Sequence, residues 1–272
     1  MNLCHEKYEK LKDILKEMGN CVIAYSNGVD STFLLAAAAE VLGDQVAAVT
    51  LVSPVAPASD EREAVRFCME RGIRHELLQL DVLSIPGFKE NPPDRCYICK
   101  KEIFKAICRF AREHAYAYVA EGSNQDDLGD YRPGMRALRE MGIRSPLQEA
   151  GLTKDEIRTL SREMGLVTWS KPSAACLASR FPYGDYITEE KLHMVGSGEE
   201  KLRQMGFTQV RVRIHGSMAR IECLPSEMNL LLDERKRTEI FLYMKELGFT
   251  YVTMDLQGFR SGSMNETLHL NR

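Results

Sequence analysis

The sequence predicts an α/β fold in which a parallel sheet carries helices on both faces. Four short apolar segments alternate with segments of helical period, and this alternation is typical of parallel strands joined by helices. The predicted strands are CVIAY (21–25), AVTLV (48–52), HELLQL (75–80) and YAYVAEG (116–122). They are apolar rather than alternating, as expected for strands that are buried on both faces.

Helical segments separate these strands. Residues 5–18 predict an amphipathic helix, because their apolar side chains recur at helical spacing. A second helix, TFLLAAAAEVL, follows the first strand. A third is predicted over SDEREAVRFCMERG, beginning at Ser59 or Asp60 and ending at Gly72.

The chain changes character near residues 166–184. This stretch carries two prolines and neither a helical nor a strand period, so we expect a functional loop or a domain junction. Beyond it, the pattern predicts a helix (about 188–205), two strands, a helix (about 226–247) and a final strand, TYVTMDL. The predicted domains are an α/β domain at 1–168, a junction at 169–187 and a small α+β domain for substrate binding or oligomerisation at 188–272.

Charge and length limit the classes of function. The 272 residues carry a formal net charge of −3, with a sequence pI of about 6.1. A nucleic-acid-binding protein usually shows a basic excess or a basic stripe, so this balance favours a small-molecule substrate over RNA. No run of 18 or more apolar residues is present, and the charged N-terminus lacks an apolar signal core. A cytoplasmic protein without a membrane partner is therefore expected.

A candidate phosphate-binding loop, AYSNGVDSTFLL (24–35), follows the first predicted strand and opens a helix. Such a turn directs backbone N–H groups and the positive end of the helix dipole at one point. Ser26 and Ser31 add hydroxyl donors, and Gly28 allows a phosphate to approach the backbone closely. Asp30 beside a phosphate implies Mg²⁺, so the segment predicts a site for a Mg²⁺-bound nucleotide. The alternative is an ordinary helix start with Asp30 or Ser31 as N-cap.

The loop SNGVDS resembles the SGGxDS signature of the PP-loop ATP pyrophosphatases, whose members cleave ATP between the α and β phosphates. It is not a Walker A loop, since GK[ST] is absent. Asn27 stands where that family has glycine. Asparagine tolerates left-handed backbone well, so the turn should be kept while its side chain crowds the pyrophosphate. The resemblance implies that ATP contacts Ser26, Asn27, Gly28, Val29, Asp30 and Ser31, with Asp30 and Ser31 catalytic, and that adenine lies near Thr50 and Leu51.

A second segment, EGSNQDDLGDYRPG (121–134), follows the fourth predicted strand. Loops at the carboxyl ends of neighbouring strands share one crevice, so this segment is expected to face the phosphate loop. It resembles the GxNxDD stretch of PP-loop enzymes that transfer sulfur or amidate. The residues expected at the crevice are Gly122, Ser123, Asn124, Asp126 and Asp127, of which Gly122 and Asp126 are expected to contact ATP. The alternative is a solvated turn.

Eight cysteines are present, and a disulfide framework is not expected in a cytosolic chain of this length. Four lie in apolar runs and are expected to be buried, namely Cys21, Cys68, Cys108 and Cys223. Cys96 and Cys99 form a CxxC pair that leads into a helix. By itself this pair fits a thioredoxin-like redox pair, half of a zinc site or two iron–sulfur ligands. Cys176 lies between Lys171 and Arg180, which favour a thiolate.

Three thiolates can hold a [4Fe–4S] cluster and leave one iron open to bind an extra sulfide. A lone Cys176 thiolate could instead attack an adenylate and give up its own sulfur, leaving dehydroalanine. In a third interpretation, Cys96 and Cys99 are structural and Cys176 alone is catalytic.

Five segments together resemble the LarE family of sulfur transferases, which serve maturation of the nickel-pincer nucleotide cofactor. They are the phosphate loop, NPPDRCYICKKEIF, EGSNQDD, KPSAACLASRFPYG and DLQGFRSGSMNE (255–266), and the resemblance covers nearly the whole chain. It implies adenylation of the carboxylates of pyridinium-3,5-biscarboxylic acid mononucleotide and their conversion to thiocarboxylates, with release of AMP and pyrophosphate. One branch sacrifices a single cysteine, and another holds a [4Fe–4S] cluster. The resemblance places this chain in the cluster branch, with Cys96, Cys99 and Cys176 as ligands, and implies a homo-oligomer, often a hexamer.

The resemblance also implies a cationic pocket, since the substrate carries carboxylates and a phosphate. Arg211 and Arg213 lie two apart on a predicted strand and therefore on one face, and a guanidinium suits phosphate bidentately. The further implied substrate contacts are Ser179, Arg180, Glu200 and Arg260.

Two rival functions stay open from the sequence alone. A tRNA thiolase of the same superfamily would be expected to show a basic face and an RNA-binding module or zinc motifs, and the sequence shows neither. The other rival is an iron–sulfur or nucleotide-sensing protein without turnover, which Asn27 favours.

Overall fold

The computed structural model describes residues 3–56, 58–129, 133–172, 175–260 and 262–268. Residues 130–132, 173–174 and 261, which belong to motifs noted above, lie outside the described residues. In chain order, the helices and strands are α1 (Leu3–Met18), β1 (Cys21–Ala24), α2 (Val29–Leu42), β2 (Val46–Val52), α3 (Ala58–Glu70), β3 (Arg74–Gln79), α4 (Arg95–Glu113), β4 (Tyr118–Ala120), α5 (Pro133–Glu140), α6 (Pro146–Glu149), α7 (Lys154–Glu163), α8 (Glu189–Gln204), β5 (Val210–His215), β6 (Met218–Cys223), α9 (Met228–Leu232), α10 (Glu234–Glu246) and β7 (Tyr251–Met254). Within the described ranges, no helix is both long enough and apolar enough to cross a membrane.

The first four strands form one parallel sheet of order β3-β2-β1-β4, which confirms the predicted fold class. Cys21 of β1 pairs with Val46 of β2 on one side and with Tyr118 of β4 on the other. From β1, the strands β2 and β3 are added in turn on one side, and β4 then pairs with β1 on the opposite side. The loops after β1 and β4 therefore meet where the strand order reverses, which is where open α/β sheets bind ligands.

Helices cover both faces of this sheet. Successive side chains of a strand point to opposite faces, and those of β1 enter two separate apolar cores. Cys21 and Ile23 belong to a core with residues of α1, α2 and α7, whereas Val22 belongs to a core with residues of α4 and α5. The expected burial on both faces thus holds for the central strands. β3 is the outermost strand of this order, and its residues are exposed or partly buried, so the expected burial on both faces is wrong for this strand.

The chain divides into two compact units. The first takes in residues 1–53, 58–81 and 96–174, and the second takes in 54–57, 82–95 and 175–272. The first unit contains the four-stranded sheet, and the second contains a three-stranded sheet. The three-part division predicted from the sequence stays a prediction.

The second unit is built on a sheet of order β5-β6-β7. β5 and β6 are antiparallel, and β6 and β7 are parallel. α8 packs on this sheet together with α10. A Cβ on Gly198 of α8 would lie 3.1 Å from the sulfur of Met244 on α10 and 3.4 Å from a methyl of Val212 on β5, so glycine permits this close packing.

The helix predicted over about 226–247 is interrupted, and that prediction is wrong in its continuity. A 3₁₀ turn, Pro225–Glu227, precedes α9, and Asp233 then leaves the helical conformation at ψ 125°. The Asp233 carboxylate accepts the N–H of Lys236 at 2.9 Å and caps α10. A side chain that satisfies first-turn N–H groups favours a new helix start over a continuous helix.

Candidate active site

The phosphate loop places the start of α2 at the carboxyl end of β1. Asn27 has a left-handed backbone with φ 55°, as expected from its position, and Gly28 is extended and serves as N-cap. α2 begins at Val29, so Asp30 and Ser31 lie inside the first turn and neither is the N-cap. The interpretation as an ordinary side-chain-capped helix start is therefore wrong. Gly28 offers the first-turn N–H groups no side-chain acceptor, which leaves them suited to a phosphate.

Two hydroxyl groups lie at this helix start. The oxygens of Ser26 and Ser31 are 3.1 Å apart, and the Ser31 oxygen also accepts the N–H of Ser26 at 3.3 Å. Ser26 is exposed, whereas Ser31 is buried. The loop thus presents hydroxyl donors beside the open end of the helix.

The Asn27 side chain is held inside the protein. Its oxygen accepts the Tyr25 hydroxyl at 3.1 Å, and its nitrogen donates to Glu63 of α3 at 2.8 Å. Only 2% of Asn27 is exposed. The amide is thus engaged by Tyr25 and Glu63, and the expectation that this side chain crowds the pyrophosphate stays a prediction.

The loop after β4 packs directly against the start of α2. A Cβ on Gly122 would lie 2.9 Å from the backbone nitrogen of Ser31 and 3.2 Å from the carbonyl carbon of Asp30. Backbone atoms cannot move aside as a flexible side chain can, so this contact requires glycine. The segment after β4 therefore faces the phosphate loop, and its interpretation as a free solvated turn is wrong.

Hydrogen bonds fix the shape of the loop after β4. The buried carboxylate of Glu121 accepts the hydroxyls of Ser123 and Ser145 at 2.8 and 2.6 Å. Asn124 is buried, and its nitrogen reaches the Asp30 carboxylate at 3.4 Å. Its backbone N–H donates to the carboxylate of Asp127 at 3.0 Å. These bonds hold the predicted crevice residues beside Asp30.

Lys154, the first residue of α7, is a site residue that the sequence analysis missed. Its ammonium pairs with the carboxylate of Asp30, and its backbone N–H donates to Asp126 at 2.8 Å. A local signal was present, because Thr153 and Glu156 form a capping box that marks this helix start. The contact with Asp30 is not visible in the sequence, since 124 positions separate the two residues.

The second strand supplies a fixed polar group at the same end of the sheet. The Thr50 hydroxyl donates to the carbonyl of Tyr25 at 2.8 Å and lies 2.9 Å from Nε2 of His75. Because the single Thr50 proton is used, His75 donates from Nε2. Burial lowers the pKa of His75, which favours the neutral ring. Leu51 beside them is half-buried.

The carboxylates at this loop fit a nucleotide-bound Mg²⁺. Such an ion needs only one or two protein carboxylates, since phosphates and waters complete its octahedron. Asp30 lies at the loop, and the exposed Asp126 lies on the facing segment. Across the described ranges, no three His, Cys, Asp or Glu side chains gather into a metal site.

The cysteines fall into a buried group and a solvent-accessible group. Burial raises the pKa of the Cys21 and Cys68 thiols to about 12, which makes them inert at neutral pH. Cys96 is exposed and Cys99 half-buried, one turn apart at the start of α4. Cys176 is exposed in the second unit.

The accessible pair fits two thiolate ligands of an iron–sulfur cluster. The prediction of burial holds for Cys21, Cys68 and Cys223, whereas Cys108 is half-buried.

Arginines fix the short 3₁₀ turn Leu177–Arg180 that follows Cys176. Arg95 donates to the carbonyl of Ala178 at 3.0 Å, and Arg213 donates to the carbonyl of Ser179 at 2.8 Å. Arg180 itself donates to the Ser179 hydroxyl at 2.7 Å. Cys176 is thus an exposed thiol on a rigid support.

Arg180 is almost fully buried and is paired with Glu199 of α8. Two of its nitrogens donate to the two carboxylate oxygens of Glu199, at 2.5 and 2.9 Å. Burial alone would raise the pKa of Glu199, but the Arg180 charge and other guanidinium groups hold it below its ordinary value. The predicted acid, Glu200, is exposed and contacts Arg203 at 3.2 Å. The buried acid is the preceding residue, Glu199.

Arg211 and Arg213 lie on one face of β5, as their spacing predicts. Arg213 donates to Glu222 at 2.9 and 3.0 Å, with Ser263 beside it at 3.1 Å. Arg211 lies over the Phe259 ring at 5.2 Å, and burial, followed by the charge of Arg180, lowers its pKa to about 10.

Arg260 is 29% exposed and pairs with Asp255 at 3.4 Å and Glu266 at 3.2 Å. These ion pairs join it to residues of the same C-terminal segment. The second unit therefore contains the predicted arginines, but Arg260 is engaged locally.

The strand order, the loop at the end of β1 and the facing segment after β4 define a PP-loop protein. No protein-family model matches the chain. Among curated proteins, it is 39% identical to the pyridinium-3,5-bisthiocarboxylic acid mononucleotide synthase of Lactiplantibacillus plantarum, over 93% of this chain and 92% of that protein. The chain belongs to this synthase family, which is the LarE family.

Two further relatives have similar length. The chain is 42% identical to an uncharacterized protein of Synechocystis sp., over 98% of this chain and 99% of that protein. It is 30% identical to an uncharacterized protein of Methanocaldococcus jannaschii, over 94% of this chain and 98% of that protein. The similarity to all three relatives extends over both compact units.

Replacing Gly28 by alanine should weaken Mg·ATP binding while leaving the fold nearly as stable as in the wild type. Gly28 has an ordinary φ of −81°, and an added Cβ would come no closer than 3.5 Å to the Ser26 hydroxyl. We expect a loss of only about 0.5–1 kcal/mol in unfolding free energy, since alanine is a poorer N-cap. The methyl would stand beside both hydroxyls, so Mg·ATP affinity should fall at least about tenfold by calorimetry.

The matched variant is Gly122→Ala, in which the Cβ meets backbone atoms. This variant should lose about 1–3 kcal/mol of unfolding free energy through overpacking. Unchanged Mg·ATP affinity in folded Gly28→Ala protein would show that phosphate binds elsewhere.

Proposed function

We propose that the chain catalyses ATP-dependent sulfur transfer to the carboxylates of pyridinium-3,5-biscarboxylic acid mononucleotide. The curated relative of this family is named for synthesis of the corresponding bisthiocarboxylic acid mononucleotide. The observation that carries the proposal is the start of α2, where open N–H groups and two hydroxyls face a segment packed against it through Gly122. This is a site for the phosphates of a nucleotide.

In the first step, a substrate carboxylate oxygen attacks the α-phosphorus of ATP. The bond from this phosphorus to the β-phosphate oxygen breaks, pyrophosphate leaves and an acyl-adenylate forms. Donors from the α2 start, together with the Lys154 cation beside Asp30, would stabilise the charge on the departing pyrophosphate. Mg²⁺, held by Asp30 and Asp126 with the phosphates, would supply further neutralisation of that charge.

In the second step, a sulfur nucleophile attacks the acyl carbon, and AMP leaves with the bridging oxygen. Cys176, which is exposed on a turn fixed by arginine side chains, is proposed to place the sulfur donor at the acyl carbon as a cluster ligand. In the alternative without a cluster, its own thiolate attacks the acyl carbon, and the Cβ–S bond then breaks to leave the thiocarboxylate and dehydroalanine. A rigid support lowers the entropic cost of aligning the sulfur donor with the acyl carbon.

We further propose that Cys96, Cys99 and Cys176 hold a [4Fe–4S] cluster in the active enzyme. The accessible CxxC pair at the start of α4 supports two of these ligands. Such a cluster would supply an iron-bound sulfide as the sulfur donor, so that the enzyme would turn over without consuming a cysteine.

The substrate phosphate and its second carboxylate need fixed cations. Arg211, Arg213 and Arg180 are proposed for this role, with Ser179 as a hydroxyl donor. Glu199, rather than Glu200, is proposed to fix Arg180, since it is the buried partner. Arg260 is proposed to contribute to substrate binding by holding the C-terminal segment through its ion pairs with Asp255 and Glu266.

Replacing Cys176 by alanine should separate the two steps. We expect continued pyrophosphate release with the biscarboxylic acid mononucleotide and ATP, but no thiocarboxylate, because activation does not need the thiol. Mass spectrometry of the product and a pyrophosphate assay measure the two outcomes. Cys108→Ala, which removes a half-buried thiol of α4, should keep both activities. Thiocarboxylate formation by the Cys176 variant would rule out this residue.

Iron content tests the ligand assignment independently of activity. Protein purified without oxygen should show broad visible absorption and about four irons per chain. Single replacements of Cys96, Cys99 or Cys176 by serine should remove most of this absorption, while Cys108→Ser should retain it. An iron-free wild-type protein that makes thiocarboxylate would indicate donation of the Cys176 sulfur itself.

A further inference from the structure

The stretch NPPDR (91–95), which precedes the CxxC pair, belongs to the second unit together with Cys176. Asn91 is fully buried and has a left-handed backbone with φ 52°, although a proline follows it. Left-handed backbone is uncommon outside glycine, and a following proline restricts the residue further. A residue in such a conformation is held there by its contacts, and residues of this kind cluster at functional sites.

The contacts of Asn91 lead to the chain that follows Cys176. Its side-chain nitrogen donates to the carbonyl of Pro182 at 2.6 Å and to the carbonyl of Phe181 at 3.4 Å. Its backbone carbonyl accepts the N–H of Gly184 at 2.9 Å. One buried residue thus fastens a short stretch of chain through both its side chain and its backbone.

Arg95 extends this connection towards Cys176. It is 4% exposed, and its guanidinium donates to the side-chain oxygen of Asn91 and, at 3.0 Å, to the carbonyl of Ala178. Ala178 lies two residues after Cys176, inside the 3₁₀ turn. A single guanidinium therefore joins Asn91 to the turn that Cys176 precedes.

Backbone hydrogen bonds hold the two ends of the same stretch. The N–H of Leu177 donates to the carbonyl of Val55 at 2.9 Å, and the N–H of Ile187 donates to the carbonyl of Lys89 at 2.8 Å. All four residues belong to the second unit. Residues 177–187 are therefore fastened at both ends by backbone bonds and in between by Asn91 and Arg95.

We propose that Asn91 and Arg95 are positioning residues that hold Cys176 in place for the sulfur-transfer step. The proposal rests on the proposed function, in which Cys176 places the sulfur donor at the acyl carbon. Cys176 directly precedes the fastened stretch, and its carbonyl accepts the N–H of Ser179 at 2.9 Å. A fixed backbone removes orientational freedom that the reaction would otherwise have to restrict.

Asparagine at position 91 meets two requirements of this arrangement. It tolerates the left-handed backbone, and its amide combines a donor for the two carbonyls with an acceptor for Arg95. Glycine would meet only the first requirement, and an ionised aspartate would lack the donor. The stretch NPPDR thus has a role in placing Cys176 that is separate from the role proposed for the CxxC pair.

Hydrogen exchange of the full-length protein tests whether these bonds hold the stretch. Asn91→Gly keeps the left-handed backbone and removes the amide, so it should speed amide exchange in peptides covering 177–187 about tenfold. Arg95→Met should speed it at least as much, and Arg95→Lys, which keeps a charged donor, should restore part of the protection. Thr253→Val is the matched control, since it removes a hydroxyl that donates to the carbonyl of Ala219 in the same unit at 3.0 Å. This control should leave the exchange of 177–187 unchanged.

The second readout is thiocarboxylate formed per pyrophosphate released, with the biscarboxylic acid mononucleotide and ATP as substrates. Asn91→Gly should lower this ratio about tenfold and keep pyrophosphate release within about twofold of the wild type, because adenylation does not need Cys176. A role confined to fold stability would lower both quantities together. Thr253→Val should leave the ratio as it is in the wild type.

Unchanged exchange of residues 177–187 in Asn91→Gly would overturn the proposal, and so would faster exchange with an unchanged ratio. Because Asn91→Gly keeps the backbone conformation, it remains testable where Arg95→Met fails to fold. Wild-type protein that forms no thiocarboxylate would refute the proposed function, whatever the exchange of the variants shows.

Discussion

The contact between the start of α2 and Gly122 is the constraint on which the first unit depends. Because no Cβ intervenes, the loop after β4 reaches the backbone of Ser31 and Asp30 directly. This approach brings the Asn124 amide to the Asp30 carboxylate, which also pairs with Lys154, and the Lys154 backbone N–H holds Asp126. A larger residue at position 122 would separate the two halves of the crevice. The strand order requires these loops to meet, and the glycine sets how closely they do so.

Buried ion pairs fix the geometry of the second unit. Arg180 and Arg213 are buried, and burying a guanidinium costs free energy unless an anion compensates. Glu199 and Glu222 compensate Arg180 and Arg213 with paired hydrogen bonds, and both acids are fully buried. Such pairs contribute more to a defined geometry than to net stability. The geometry defined here includes the carbonyl of Ser179, and thus the support of Cys176.

The sequence allowed the strands and the site loops of the first unit to be predicted, because both follow from local patterns. The phosphate loop is a contiguous strand, serine- and glycine-containing turn and helix, so its pattern is visible in the sequence. The left-handed backbone of Asn27 was also predicted correctly. The helices α5, α6 and α7 were not predicted. Lys154 was missed because its partner Asp30 lies far away in the sequence, although a capping box marked the helix start.

Other differences have the same physical origin. Glu199 and Glu200 are adjacent on α8, and only tertiary packing determines which of them faces Arg180. The Asn27 amide contacts Glu63 on another helix, and this contact is not visible in the sequence. Residue type and spacing thus identify the chemistry that a segment can perform, whereas contacts between distant segments decide which neighbour performs it.

The central claim, that the carboxylate is activated at the α-phosphate of ATP bound by the α2 loop, is tested most directly by isotope transfer. Substrate labelled with ¹⁸O in its carboxylates is converted with ATP, and the AMP is analysed by mass spectrometry. Our account predicts one ¹⁸O atom in each AMP formed, since the bridging oxygen leaves with the phosphate. Unlabelled AMP, or formation of ADP and phosphate in its place, would contradict it.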